Sequence, residues 1–473
     1  MKNVGAYVWN FTAKFGAQVL WLVTTMILAR FLTPDDFGTI GILSILFLVA
    51  NTLTESGLGG ALVIQKELLK TDCSTISVFN IAISASIYAI VFVCANWIEA
   101  FYNVDNLATL TRVLSLVFVI GAFGIVPRTI LFHQLRFKEL CIISLSAVVI
   151  SAICAILLAI NNAGVYSLVA YQLVQVTINT IGCIWASRYK LSLHFAIASF
   201  KKLFSFGFYT TITGVVDTIY ENIMAAIFGK YLNVTQAGYL SQAKRIEEAS
   251  SQALLMTVNG TAFPILAKYK DDIGLFKKEA LSIQNIFSYL LFPLLMVLCI
   301  FSKEVILLLF GSQWIDASQY LSILVIASLF LIMDSISRNF IKSLGRVEIL
   351  LKITMLKRVI GCILMVIFGL YSVQYILLAY LISAFIGVLI NVVSYSRLIQ
   401  DNTISVLFDF FVPLLYVTPV ALSMYFIHYY IPNLYINMAL CSVILIFYYL
   451  LVLPHKGINI ISVLSNLVKQ KRS

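Results

Sequence analysis

The chain has 473 residues, 61% hydrophobic and 11% charged, where soluble domains carry roughly 25% charge. So few ionisable side chains cannot coat the three or so soluble domains of ~150 residues that this length would otherwise imply. The formal net charge of +11 then reads as membrane topology and not as a nucleic-acid footprint.

Runs of about 18 or more mostly apolar residues predict fourteen membrane-crossing helices. The first six lie near Val8 to Phe31, Phe37 to Ile64, Ser74 to Ile98, Leu107 to Arg128, Leu140 to Ile160 and Val165 to Ser187. The next six lie near Leu203 to Phe228, Gly238 to Phe263, Leu281 to Phe301, Ser318 to Ile341, Ile349 to Leu370 and Gln374 to Arg397. Two more, Leu407 to His428 and Leu434 to Leu453, precede a basic tail. The first span is too long for a signal peptide and lacks a small-x-small cleavage site, so it is expected to be retained.

Lys and Arg are held on the cytoplasmic side during insertion. With fourteen spans, twenty-three basic residues, Lys2, Arg136 and Lys278 among them, gather on one side, against Arg30, Lys230 and Lys303 on the other. That bias places both termini in the cytoplasm. Arg112, Lys352, Lys357 and Arg358 fall inside spans and read as interfacial anchors or loop charges. No Gly-x4-Gly-Lys-Ser/Thr stretch is present, so any energy for transport comes from an ion gradient or the membrane potential.

The eight cysteines are widely spaced, with no C-x-x-C pair, and read as small apolar packing residues. His133, His194, His428 and His455 form no metal-ligand spacing, so neither a metal nor an organic cofactor is expected. Asn-x-Thr at Asn10, Asn233 and Asn259 is weak evidence in a chain this long.

A repeat runs through the chain at an offset of 200. Arg30 meets Lys230, Phe31 meets Tyr231, Leu32 meets Leu232, Gly38 meets Gly238 and Gly60 meets Gly260. Six spans separate the copies, an even number, so the halves share one orientation. The fold expected is all-α and polytopic. Two pseudo-twofold-related six-helix lobes, 1–200 and 201–400, face each other across a central space, and residues 401–473 add two helices and the tail.

The stretches LARFLTPDDFGTIGI, SGLGGALVIQK, PRTILFHQLRFKEL, FGKYLNVTQAGYLSQAKRI, FPILAKYKDD and EVILLLFGSQW resemble the polysaccharide transporter, or Wzx-type, flippases of the MATE-like (multidrug/oligosaccharidyl-lipid/polysaccharide) superfamily. The resemblance extends to about residue 400, and the R-F-L-T-P-x-D-F-G turn is its most specific part. The nearest branch is that of capsule, colanic-acid or teichuronic-acid exporters. It implies a monomeric bacterial inner-membrane protein that moves undecaprenyl-diphosphate-linked oligosaccharides from the cytoplasmic to the periplasmic leaflet. It also implies a MATE-like cavity lined by the first, second, seventh and eighth spans. A polysaccharide polymerase and glycosyltransferases of the same pathway are its implied partners.

Ionisable residues inside a span cost a few kcal/mol each and are functional candidates by default. Asn10, Lys14 and Gln18 fall at i, i+4, i+8 on the first span; Thr210, Gly214, Asp217 and Glu221 share a face of the seventh. Ser241, Arg245, Glu248 and Gln252 do so on the eighth, with Lys244 and Glu247 beside them, and Asp334, Arg338 and Lys342 on the tenth. A diphosphate seeks Arg and Lys, so Lys14, Arg30, Lys244, Arg245 and Arg338 are the expected cationic wall. Gln18, Asn51, Tyr220, Gln242 and Gln252 would meet the sugars. Asp217 and Glu221 would couple transport to H+ or Na+, or else neutralise Lys244 and Arg245. Lys244 with Glu248 and Asp334 with Arg338 are spaced as structural ion pairs, and Lys14 could snorkel.

A MATE-type antiporter of cationic drugs is the alternative within this fold, and it calls for a more acidic cavity. A membrane-embedded polymerase or ligase would need a larger external loop than the sixteen or so residues around Ser302 to Ala317.

Overall fold

The computed structural model describes residues 4–55, 68–190, 194–201, 233–267 and 271–455, with the single positions 62, 192, 211, 215, 218, 219, 227, 230 and 269. Among the described residues every regular element is helical. The first group is α1 (Val4–Phe31), α2 (Pro34–Glu55), α3 (Lys70–Tyr102), α4 (Leu107–Leu114), α5 (Leu116–His133), α6 (Phe137–Ile160) and α7 (Tyr166–Ser187). After it come α8 (Val234–Ala267), α9 (Ile273–Ile300), α10 (Ser302–Leu309), a 3-10 turn (Ser312–Trp314), α11 (Ala317–Ser343), α12 (Val347–Gly369), α13 (Val373–Leu398), α14 (Thr403–Tyr430) and α15 (Leu434–His455).

Most predicted spans coincide with these helices to within a few residues. Two differ for identifiable reasons. The fourth is split at Ser115 into α4 and α5. The ninth starts earlier, because the Asp272 carboxylate accepts the Leu275 N–H at 3.0 Å and caps α9 ahead of the apolar run. The end of the second span beyond Glu55, apart from Leu62, the seventh span, 203–228, and the tail from 456 lie largely or wholly outside the described residues.

Ten described helical stretches are long and apolar enough to cross a membrane. The 34-residue α8 and the 23-residue α12 are not among them despite their length. They carry Lys244, Arg245, Glu247 and Glu248, and Lys352, Lys357 and Arg358, so their charge must be answered inside the protein.

The chain forms two compact units. One contains Met1–Gln242 and Leu309–Trp314, the other Ala243–Leu308 and Ile315–Ser473. Within the first, α3 packs on α5, α5 on α7, and α6 on α7. Within the second, α9 packs on α11, α11 on α13, and α12 on α13. The same order of neighbours recurs.

The turns repeat as well. Before α2, the Thr33 N–H and hydroxyl donate to the Asp36 carboxylate at 2.9 and 2.8 Å, while the Asp36 N–H returns to Thr33 Oγ1 at 3.3 Å. This is a capping box with Pro34 at the first helical position, where its missing N–H costs nothing. Before α8, Asn233 Oδ1 accepts the Gln236 N–H at 2.7 Å. Asn233 and Gln236 stand 200 residues after Thr33 and Asp36, so each half starts its second helix with the same device.

After α5 and α11 the correspondence moves to 210 residues. The Arg136 N–H donates to the Leu131 carbonyl and the Leu135 N–H to that of Phe132; the Arg346 and Gly345 N–H groups do the same to Ile341 and Lys342. Both are Schellman ends, with Leu135 at φ +56° and Gly345 at φ +75°. Glycine suits that conformation, whereas Leu135 costs about 1–2 kcal/mol there.

Within the first unit, α2 crosses the first turns of α8 at a pair of repeat-related glycines. A Cβ on Gly38 would penetrate the Val234 carbonyl, and a Cβ on Gly238 would penetrate the Pro34 carbonyl. Val234 is the repeat counterpart of Pro34, so the contact is reciprocal. Asp35 and Thr235, also counterparts, are joined through their side chains. Above the crossing, buried Trp314 packs edge-on to Phe37 with ring centroids 5.3 Å apart and to Tyr239 at 6.2 Å. Its indole N–H donates to the Ala29 carbonyl at 2.9 Å, while Gln313 Nε2 donates to Ala29 and Leu32 at 2.6 and 3.1 Å. The GSQW motif thus caps the C-terminal end of α1.

Gly38→Ala and Gly238→Ala are each expected to destabilise the protein by about 3 kcal/mol or more, since backbone cannot give way to the new methyl. Gly121→Ala meets only Val176, at 3.7 Å, and should be neutral or gain about 0.5–1 kcal/mol of helix propensity. Thermal melting of fluorescent fusions followed by size-exclusion chromatography checks this ordering.

Candidate functional site

Three spans of the second unit carry a polar cluster built on Asp334. One turn of α11 sets Asp334 and Arg338 on the same face, and Asp334 Oδ2 lies 3.1 Å from Arg338 Nε. From α12, Lys357 Nζ donates to Asp334 Oδ1 at 2.6 Å. From α13, Asn391 Nδ2 donates to the same oxygen at 2.9 Å and lies 3.2 Å from the Asp334 carbonyl and 3.3 Å from Ser337 Oγ. Gly387 makes room for the pair: a Cβ there would stand 3.3 Å from Asp334 Oδ1 and 3.5 Å from Lys357 Cδ.

Exposure within the cluster is graded. The Asp334 and Lys357 side chains are 12% and 10% exposed, while that of Arg338 is 40% exposed. One carboxylate against two cations leaves a formal surplus of positive charge, and Arg338 is its open corner. Burying the Asp334–Lys357 pair costs desolvation that only good geometry offsets, and removing Asp334 strands the Lys357 charge, whereas removing Lys357 leaves Asp334 to Arg338.

On α8, Lys244 Nζ lies 3.8 Å from Glu248 Oε1, with both side chains partly exposed; a pair of this kind contributes about 0–1 kcal/mol. Arg245 is half-buried beside them. Glu247 turns the other way. It is buried, and Ser328 of α11 hydrogen-bonds to its carboxylate group.

The remaining candidates are distributed differently. Arg30 is exposed in the last turn of α1, where a cation complements the helix C-terminus. Gln18 is half-buried on α1, and Asn51 is exposed on α2. Gln242 is wholly buried, with neither amide atom hydrogen-bonded among the described residues, so it faces no open space. The side chains of Lys14 and Gln252 lie outside the described residues, as do Asp217, Tyr220 and Glu221 altogether.

Sequence spacing finds the pairs within one helix, Asp334 with Arg338 and Lys244 with Glu248. It misses Lys357, which is a buried partner of Asp334 and not an interfacial anchor. The available signal is its place ten residues into α12, too deep to reach an interface easily. Asn391 carries no charge and gives no signal beyond a polar residue in an apolar span. Glu247 is visible beside the eighth-span stripe, but its direction is not.

The profile of the family described as "Polysaccharide biosynthesis protein" matches residues 27–319. The chain is 26% identical over 349 residues to "Succinoglycan biosynthesis transport protein ExoT" of Rhizobium meliloti (strain 1021), covering 74% of this chain and 70% of that one. It is 23% identical over 358 residues to "Lipopolysaccharide biosynthesis protein WzxC" of Escherichia coli (strain K12), covering 75% and 73%. Its fold is similar to that of "Lipid II flippase MurJ, inward closed conformation", with a TM-score of 0.75 at 17% identity, over 95% of this chain and 99% of the other.

Asp334→Asn should lower stability by about 3–5 kcal/mol, because it leaves the buried Lys357 charge unanswered, and Lys357→Met by less, because Arg338 still meets Asp334. Combined, they should cost well below the sum, since the double variant buries no ion pair. Melting temperatures of the four proteins in one detergent measure the coupling, and additive losses would mean that the contact contributes little.

Proposed function

The chain belongs to the polysaccharide biosynthesis protein family, and on that premise we propose that it is a flippase for lipid-linked oligosaccharides. It is a multi-pass membrane transporter and not an enzyme. Its cargo is an undecaprenyl-diphosphate-linked repeat unit, carried from the cytoplasmic to the periplasmic leaflet for capsule, O-antigen or exopolysaccharide assembly. The lobes are 1–200 and 201–400, with 401–473 appended, and both termini are cytoplasmic. Transport follows alternating access, in which each leaflet in turn reaches the substrate site. A polymerase and glycosyltransferases of the same pathway act on either side of this step.

The observation that carries this reading is the surplus cation at Arg338. Asp334 meets Arg338 through Nε and is itself answered by Lys357. Four of the five guanidinium N–H donors sit on the terminal nitrogens, in a fork suited to phosphate oxygens. In a low-dielectric surrounding such a fork attracts a diphosphate strongly and repels a cationic drug. Lys14, Arg30, Lys244 and Arg245 are the further cations assigned to the diphosphate in this reading, and Gln18 and Gln252 serve the sugars. Asp217 and Glu221 are the carboxylates of the seventh span that exchange H+ or Na+. The polyprenyl tail stays in lipid and needs no enclosed pocket.

Arg338→Gln should reduce export by about 10- to 100-fold, the equivalent of the roughly 1.5–3 kcal/mol of a charge-assisted hydrogen bond, with Arg338→Lys intermediate. Arg245→Ala and Lys14→Ala should also impair it. Complementation of a flippase-deficient strain at matched expression is the measurement, read as surface polysaccharide and as lipid-linked units retained inside. Wild-type export by all of these variants would remove the cationic-site reading.

A further inference from the structure

Glu247 has a partner arrangement that its neighbours on α8 lack. Ala243, Glu247 and Ser251 stand at i, i+4, i+8 and are all buried, with Glu247 6% exposed. The carboxyl group meets the hydroxyl of Ser328 from α11 and that of Ser251 from its own helix. Lys244 and Glu248 stand beside it on α8 and lie 3.8 Å from each other. From α11 it is met by a hydroxyl alone. Among the described residues no basic group forms an ion pair with it.

The hydroxyl of Ser328 has a single hydrogen and two acceptors. The Leu324 carbonyl lies 3.0 Å from Ser328 Oγ, one turn back on α11, and Glu247 Oε1 lies on the other side. If the hydrogen goes to Leu324, the oxygen presents only lone pairs to Glu247, and the contact is completed by a protonated carboxyl that donates. If Glu247 is ionised, Ser328 must turn its hydrogen to the carboxylate and release Leu324. Both protonation states therefore have a hydrogen-bonded form. Buried in the protein, however, a carboxylate held by hydroxyls, with no ion-pair partner among the described residues, has little to offset its desolvation. While α8 and α11 are packed together the neutral acid is favoured, and access to water favours the anion.

We propose that Glu247 is a proton-binding site of this transporter, occupied while α8 packs on α11 and emptied when water reaches that contact. Proton release is thereby tied to the separation of two helices, and the proton is named as a driving ion for the flippase reading, on which its role in transport rests. Ser328 reports the state of Glu247 to the α11 backbone, about two turns before Asp334 and three before Arg338 on the same helix.

Two measurements on the full-length protein test this. In reconstituted vesicles carrying a lipid-linked oligosaccharide, an imposed proton gradient should accelerate transport by wild type. Glu247→Gln, whose amide can donate to Ser328 as the neutral acid does, should fold with an unchanged or higher melting temperature and lose the gradient response. Glu247→Asp should keep part of it. In pH-difference infrared spectra without substrate, wild type should show a protonated-carboxyl C=O band that Glu247→Gln lacks. An unaltered gradient response in Glu247→Gln overturns the proposal, as does a difference spectrum from which the substitution removes no protonated-carboxyl band, or one that responds to Na+ in place of pH. The infrared measurement needs no cargo. A Glu247 band together with failure to move lipid-linked glycans would sink the flippase reading and leave the proton site standing.

Discussion

In the first unit α2 and the first turns of α8 are held by one short backbone contact, their approach at Gly38 and Gly238. Each glycine lies against the carbonyl of the residue four positions before the other. No side chain fits between them, so the two helices meet as backbone on backbone, and the flanking side chains lock the angle. Asp35 reaches Thr235, Trp314 covers the site from above, and a capping box or its Asn–Gln counterpart starts each helix at a defined residue. The contact is symmetric because the repeat is. Residues 200 apart occupy the two sides of it.

The second unit puts the same helical framework to a different use. Where α5 offers Gly124 to the Thr180 side chain of α7, α11 offers Asp334 to Asn391 of α13; Gly124 and Asp334 are related by the 210-residue correspondence of the Schellman turns, and Asn391 stands one residue beyond the counterpart of Thr180. One half fills that junction with a glycine and a hydroxyl, and the other with a carboxylate, an amide and a lysine. The repeated scaffold carries stability in both halves, while the charge is concentrated in one. A buried pair that leaves a neighbouring arginine partly exposed holds a fixed positive charge in place without stranding a lone ion in hydrocarbon.

Much of the framework is legible before any coordinates. The apolar runs locate the helices, because a hydrocarbon slab tolerates few other patterns. The offset of 200 identifies Gly38 with Gly238, and spacing by four pairs Asp334 with Arg338. The cross-helix half of the cluster is hidden, since Lys357 and Asn391 reach Asp334 over 23 and 57 residues of sequence. Such distances follow from packing and register, not from local periodicity. The added length around residues 302–317 also moves the repeat from 200 to 210, so that Arg136 and Arg346, or Gly124 and Asp334, do not align when one offset is used throughout. The direction of Glu247 is hidden for a related reason: its helix has charges on several faces, and only the position of Ser328 shows which face is inside.

The cap on α1 bears on how the protein is made. Ala29 and Leu32 present carbonyls at the end of the first helix, and the side chains that satisfy them lie up to 285 residues further along the chain. A ribosome delivers Phe31 to the bilayer long before it has translated Trp314. The first hairpin therefore waits in the membrane with its α1 end uncapped until the second half arrives. A nascent chain interrupted upstream of the GSQW motif leaves that end open, in a state that quality-control proteases could distinguish from the finished transporter.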